Sequence, residues 1–178
     1  MTLYDSFTEK EMQILQARAE RVARVSGEGE ADDSITGLMV NVHDQTYVIP
    51  IDSLTTVYER VSVVPLPSVP PFVAGIANLR GHIIPVLDLA VLLNVPGTTT
   101  TDLMMLVVAA NREMTVAFHV DRIGDVTNYN RDNLTPVPAN FETAQGLYLQ
   151  GILADGTAVL DVEAILNDPA LIVDEVVG

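Results

Sequence analysis

Three histidines are the residues of this sequence best suited to general acid–base or metal-binding chemistry: His43, His82 and His119. They lie far apart in the sequence. His43 stands at a predicted turn, His82 follows a glycine and His119 ends an alternating apolar pattern, so each is interpreted as a structural or solvated residue. The sequence has no HExxH motif, nucleophile elbow, phosphate-binding glycine loop or dinucleotide fingerprint. This pattern favours a protein that is not an enzyme.

The 24 acidic residues are the other candidate ligands, but they are scattered and do not have calcium-loop spacing. They predict a solvated surface. The chain has no cysteine, which excludes disulfides, thiol catalysis and zinc sites built on thiolates. We therefore expect no metal and no cofactor.

The overall charge limits the classes of partner. Only 9 basic residues accompany the 24 acidic ones, and the net charge of -15 would repel nucleic acid and anionic lipid. Residues 1–11 do not resemble a secretory signal. Apolar runs such as 103–110 are less than half of the ~20 residues that a membrane-spanning helix needs. The sequence predicts a soluble protein with no direct membrane insertion.

The stretch 70–89 is the most informative part of the chain. Pro70-Pro71 enforces an extended entry, and residues 78–81 predict a turn with a cation at its tip. Turns and caps explain most of this stretch as ordinary structure. They do not explain Arg80, which is the only basic residue within residues 61–111. Arg80 is therefore the residue of this stretch that ordinary structure explains least well.

The elements that would position these residues fall into three regions. Residues 1–25 predict an amphipathic helix, because Thr8 and Glu11 have capping-box spacing and apolar residues then recur at helical spacing. This helix would dock either on its own domain or on a partner. Residues 26–34 have the glycine-rich, acidic composition of a flexible linker. The remaining region, 35–178, is predicted to be a single domain.

Beyond the linker the apolar period becomes alternating, which predicts a mainly β fold. Apolar and polar residues alternate on both sides of His43-Asp44-Gln45, which indicates a β-hairpin. Further strands are predicted at Val57–Leu66, Ile83–Leu87, Leu103–Ala110, Met114–Val120, Ile123–Tyr129, Leu147–Leu153 and Thr157–Leu160. Pro85 indicates an edge or irregular strand. Two short helices are predicted at Asp88–Asn94 and Val162–Asn167, and the short strands favour a sandwich or barrel.

The stretch 70–89 resembles the signature of the CheW-like family, with a Pro-Pro-aromatic entry, Gly-Ile-Ala-Asn-Leu-Arg-Gly, a short β run to proline and then Asp-Leu. The resemblance covers most of residues 35–167. It includes the first hairpin, the Val-Asp-x-Ile-x-Asp-Val strand at 120–126, the proline-bearing loop at 134–138 and the Asp-Gly hairpin within 148–161.

This resemblance implies two small five-stranded, SH3-like β-barrel lobes around a shared core. It also implies a non-enzymatic adaptor that binds the regulatory domain of a CheA-type histidine kinase and the cytoplasmic tip of a chemoreceptor. The partner-binding residues that it implies, with their near neighbours in the sequence, are Leu54, Thr56, Val57, Glu59, Asn78, Arg80, Gly81 and Val86.

One departure from the family pattern concerns Thr56. The family usually has a glutamate here, which can pair with the motif arginine. In this chain the pair is either absent or made by Glu59. The departure would fit a divergent receptor, or a system for twitching or phototaxis rather than swimming.

The sequence leaves three hypotheses for the function. The first is a receptor-kinase coupling adaptor, and the second is a regulator or inhibitor that binds the kinase without a receptor. The third is an unrecognised enzyme or small-molecule binder with a site between the lobes.

Overall fold

The computed structural model describes residues 34–97, 103–138 and 147–169. The predicted N-terminal helix (1–25) and nearly all of the predicted linker (26–34) lie outside these residues, so both stay predictions. The first described strand begins at Ser34, one residue before the predicted start of the domain.

Ten strands and two short α-helices form the described part of the chain. Their bounds are β1 (Ser34–Val42), β2 (Gln45–Pro50), β3 (Leu54–Ser62), β4 (Val73–Leu79), β5 (His82–Asp88), α1 (Leu89–Leu92), β6 (Leu103–Ala110), β7 (Thr115–Val120), β8 (Arg122–Asn130), β9 (Leu149–Ile152), β10 (Ala158–Leu160) and α2 (Val162–Leu166). Neither helix is long and apolar enough to cross a membrane.

The strands form two five-stranded sheets, which we call lobe 1 (β8-β1-β2-β10-β9) and lobe 2 (β3-β6-β7-β5-β4). Each lobe contains one parallel pair, β2 with β10 in lobe 1 and β7 with β5 in lobe 2. The two lobes have the same topology. Strands β8, β9, β10, β1 and β2 of lobe 1 correspond to β3, β4, β5, β6 and β7 of lobe 2, respectively. Because strands from both ends of the domain complete lobe 1, this internal repeat does not appear as a fixed period in the sequence.

Each sheet curls until its two edges meet. In lobe 2 an isolated bridge joins Val64, just after β3, to Ile76 on β4. In lobe 1 the equivalent bridge joins Thr135, just after β8, to Ile152 on β9. The predicted pair of small barrels is thereby confirmed.

Apolar side chains form a shared core and a smaller interior for each lobe. Successive side chains of a strand point to opposite sides. In the central strands one side packs in the shared core and the other in the interior of a lobe, so both faces are buried. On β2, Tyr47 and Ile49 belong to the shared core, whereas Val48 belongs to the interior of lobe 1. On β7, Phe118 belongs to the shared core and Ala117 to the interior of lobe 2.

Both helices begin at an aspartate that ends a Val-Leu-Asp sequence. The Oδ1 atom of Asp88 accepts a hydrogen bond from the N–H of Ala90 (3.0 Å), and Oδ1 of Asp161 accepts one from Ala164 (3.0 Å). These side chains satisfy N–H groups that have no partner within the helix. The two predicted helices are confirmed, each ending a residue or two earlier than expected.

Three details of the lobe 2 strands differ from the sequence prediction. Strand β4 was not predicted, because alanine, glycine and asparagine have low β propensity and pairing with β5 imposes the extended form. The predicted strand 57–66 begins earlier, at Leu54, and ends at Ser62. Pro85 lies in an interior strand, but the parallel pairing of β5 with β7 starts only at Val86. The proline therefore removes no donor from that ladder.

Candidate partner-binding surface

The hairpin between β4 and β5 presents Arg80 at its tip. Leu79 pairs with His82, so the turn consists of Arg80 and Gly81 alone. Both have positive φ, 54° and 89°, as in the two-residue turns that match the twist of paired strands. The side chain of Asn78 reinforces the turn, since its Oδ1 accepts a hydrogen bond from the N–H of Gly81 (2.9 Å). The predicted turn with an exposed cation is confirmed.

Strand β3 lies beside this hairpin across the seam where lobe 2 closes. A bulge follows Tyr58, because the pairing with β6 shifts between Tyr58 and Val61 and Arg60 has a φ of 60°. Tyr58 is half-buried and packs against the interior of lobe 2. The guanidinium carbon of Arg80 lies 5.3 Å from the centroid of the Tyr58 ring, which is cation–π geometry.

An apolar strip runs across the outer face of lobe 2 next to Arg80. We define it as Val64, Ile76, Ile83 and Pro85. Val64 and Pro85 each pair with Ile76, and Ile83 pairs with Asn78, two residues further along β4. Paired residues point to the same face of a sheet, as do residues two apart on one strand. Val64 is 57% exposed and Ile83 is 61% exposed, so the strip is open to solvent.

The eight residues singled out in the sequence divide between surface and core. Glu59, Asn78, Arg80 and Gly81 are exposed, and Thr56 is partly exposed. The other three are 0% or 1% exposed, and their side chains cannot contact a partner directly: Leu54, Val57 and Val86. Leu54 and Val57 pack in the shared core, and Val86 packs in the interior of lobe 2.

The sequence did not predict Tyr58 or the apolar strip as parts of this surface. Tyr58 follows Thr56 by two positions, so both side chains are on the same face of β3. That spacing was the available signal. The contact with Arg80 depends on the closure of the barrel, which no local pattern predicts.

His43 and His119 both lie near Asp121, whereas His82 is exposed at the start of β5. His43 Nδ1 lies 3.1 Å from Asp121 Oδ2, and the N–H of His43 donates to the same oxygen (2.6 Å). This contact ties the β1–β2 turn to the junction of β7 and β8. His119 is 3% exposed; burial lowers its pKa, while the carboxylates of Asp88 and Asp121 oppose the shift. Within the described residues, no group of three or more potential ligands could hold a metal ion.

Two adjoining cavities of about 260 and 540 Å³ share Arg131 and Gln150 among their lining residues. The smaller one reaches from the end of β2 to helix α2. Its charged residues, Asp52, Arg131 and Glu163, are all exposed. Buried titratable groups that converge in a pocket would favour an enzyme, and the smaller cavity does not have them.

Comparison with known proteins agrees with this architecture. A family model described as the CheW-like domain matches residues 36–170. The chain is 30% identical over 136 residues to the chemotaxis protein CheW of Thermotoga maritima, in an alignment that covers 74% of this chain and 87% of the relative. It is 26% identical over 132 residues to CheW of Bacillus subtilis, which covers 69% of this chain and 85% of the relative.

A solved structure has a similar fold. The crystal structure of the scaffolding protein TtCheW from Thermoanaerobacter tengcongensis matches with a TM-score of 0.65 at 21% identity. The match covers 76% of this chain and 94% of that protein. Since the family model spans most of the sequence and a relative at 30% identity is matched over most of its length, the chain belongs to the CheW-like family.

Proposed function

We propose that this chain is a non-enzymatic adaptor that couples the cytoplasmic tips of chemoreceptors to a CheA-type histidine kinase. Membership of the CheW-like family supports a scaffold or adaptor role in chemotaxis. The observation that carries the proposal is the position of Arg80, an exposed cation at a hairpin tip beside an apolar strip. On a chain with a net charge of -15, such a cation is a distinctive feature for a partner to recognise.

The proposed receptor contact consists of the apolar strip and the exposed residues around it. The receptor tip is a helical bundle, and a helix docks by placing its apolar face on a matching surface. In this arrangement Arg80 sets the register by pairing with an acidic or carbonyl group of the receptor. Thr56, Glu59, Asn78 and Gly81 would form the rest of the direct contact.

The proposed kinase contact is with the regulatory domain of the CheA-type protein, through exposed strand edges. Strands β4 and β9 are the last strands of their sheets, and each is closed over by a single bridge, at Ile76 and at Ile152. The backbone groups of these strands beyond the bridge would be the ones to pair with another chain. The adaptor would act in the cytoplasm and be recruited to membrane-associated receptor arrays through these two contacts.

A second candidate function is a regulator or inhibitor that binds the kinase without a receptor. Thr56 motivates it, since this position has no carboxylate to pair with Arg80. In this chain the guanidinium lies over the ring of Tyr58. The two candidates differ in whether receptor binding occurs at all.

Isothermal titration calorimetry would test the proposal. The full chain would be titrated separately with the regulatory domain of a CheA-type kinase and with a cytoplasmic receptor fragment from the same cell. Micromolar binding to both is expected, and Arg80→Glu should weaken the receptor contact. Arg122→Ala removes an exposed cation from lobe 1 and serves as the control. Binding to the kinase alone would favour the second candidate.

A further inference from the structure

Arg80 has a tyrosine ring beneath it, supplied by a different strand. Tyr58 belongs to β3 and Arg80 to the turn after β4, and the two strands meet only because lobe 2 closes on itself at Val64 and Ile76. The Tyr58 ring is held from below by the interior of lobe 2. It is therefore a fixed platform rather than a mobile surface side chain.

We infer that Tyr58 is the positioning residue of Arg80, holding the guanidinium in place for the partner. The inference rests on the proposed binding role of Arg80. A long arginine side chain at a hairpin tip loses rotamer entropy when a partner binds it. A ring that already fixes the guanidinium lowers this loss. The cation–π contact also strengthens when the partner excludes water.

The bulge of β3 contributes to the placement of the Tyr58 ring beside Arg80. The pairing register shifts immediately after Tyr58, and Arg60 takes a positive φ of 60° within the shift. A bulge bends its strand and re-aims the neighbouring side chains. Tyr58 is the last residue paired with β6 before the bulge, opposite Leu106 in the interior of lobe 2. Its ring therefore lies between the packed interior and the hairpin tip.

The first test measures the position of Arg80 in the free protein. A side chain over an aromatic ring has proton resonances shifted upfield by the ring current. The Arg80 side-chain protons should show this shift in the wild type and in Tyr58→Phe, which keeps the ring. Tyr58→Leu should abolish it. Unshifted Arg80 resonances in the wild type would overturn the inference.

The second test is a double-mutant cycle on binding of the full chain to the receptor fragment. Tyr58→Leu should weaken binding about five- to tenfold, and Tyr58→Phe should stay within about twofold of the wild type. In the Arg80→Ala background, Tyr58→Leu should have no further effect, because the residue acts through Arg80. Thermal denaturation of each variant would verify that the fold is retained.

The outcomes separate this inference from the proposed function. If Tyr58→Leu weakens binding equally with and without Arg80, Tyr58 contacts the partner itself and the positioning role is wrong. If Arg80→Ala weakens binding but Tyr58→Leu does not, something else fixes Arg80. If Arg80→Ala leaves receptor binding unchanged, the proposed role of Arg80 and the binding part of this inference both fail, while the ring-current shift still decides where the guanidinium lies.

Discussion

Gly75 on β4 and Gly151 on β9 occupy equivalent positions in the two lobes, and each lies against the segment that closes its barrel. A Cβ atom on Gly75 would overlap the carbonyl oxygen of Val64. A Cβ atom on Gly151 would lie 3.0 Å from the carbonyl oxygen of Thr135. The residue after each glycine makes the closing bridge. Each barrel therefore closes over a position where a side chain is not accommodated.

Gly75→Ala should lower the free energy of unfolding by at least ~2 kcal/mol, because the new methyl group would push apart the backbone at the seam. The φ of 150° at this position adds strain for any residue with a side chain. Urea denaturation of the purified protein measures the loss. Gly124→Ala is the control and should cost less, since its Cβ would lie 3.3 Å from the nearest atom.

Gly81→Val should destabilise the protein for a different reason. A Cβ atom at Gly81 would meet no atom within 4 Å, but the φ of 89° is unfavourable for a β-branched residue. We expect a loss of about 1–3 kcal/mol. Gly81→Asn should lose less, because asparagine tolerates positive φ. Equal losses for valine and asparagine in urea denaturation would show that backbone strain is not the cause.

The sequence predicted the parts of the fold that depend on local patterns. The hairpin around His43 and the tip turn at Arg80 follow from alternating apolar residues and from glycine and asparagine in the turn. Strand β4 was missed because its small residues carry little local preference, and the contact of Tyr58 with Arg80 was missed because it arises from barrel closure.

Alternation also left the faces of the strands undetermined. It separates the two sides of a strand without saying which one is solvated. In lobe 2 the side chain of Val57 packs in the shared core, and that of Val86 packs in the interior of the lobe. Residues expected on a binding surface therefore lie in the core, whereas Val64 and Ile83 are exposed.

Stability should depend on pH through His119. Burial lowers its pKa in the folded state below the ordinary value of 6.5, so the unfolded chain binds the proton more readily. Its contribution to stability is present above the unfolded-state pKa of 6.5 and is lost as the pH falls from there towards the lowered pKa of the folded state. Urea denaturation of the wild type at several pH values measures this loss.

His119→Gln is the matched variant for this measurement, because it removes the titrating group and keeps a polar side chain. Its stability should fall less than that of the wild type over the same pH range. The ring-proton resonances of His119 report its pKa directly. An apparent pKa at or above 6.5 would contradict the effect of burial.

Arg80→Glu should leave the stability nearly unchanged while it weakens partner binding. An exposed charge at a turn typically changes the free energy of unfolding by less than ~0.5 kcal/mol. The cation–π contact with Tyr58 makes a similarly small contribution to the free energy of unfolding, because Arg80 is exposed. Thermal denaturation compared with the wild type and with Arg122→Ala measures the change. A large fall in Tm would show that Arg80 is primarily structural.

Kinase activity in a reconstituted mixture of receptor, CheA-type kinase and this chain would test whether the chain couples receptor to kinase. Phosphorylation of the kinase should rise when the wild-type chain is added, and it should rise less with Arg80→Glu. Arg122→Ala should behave as the wild type. Unchanged kinase activity, with direct binding to the kinase retained, would contradict coupling and favour a regulator that acts without a receptor.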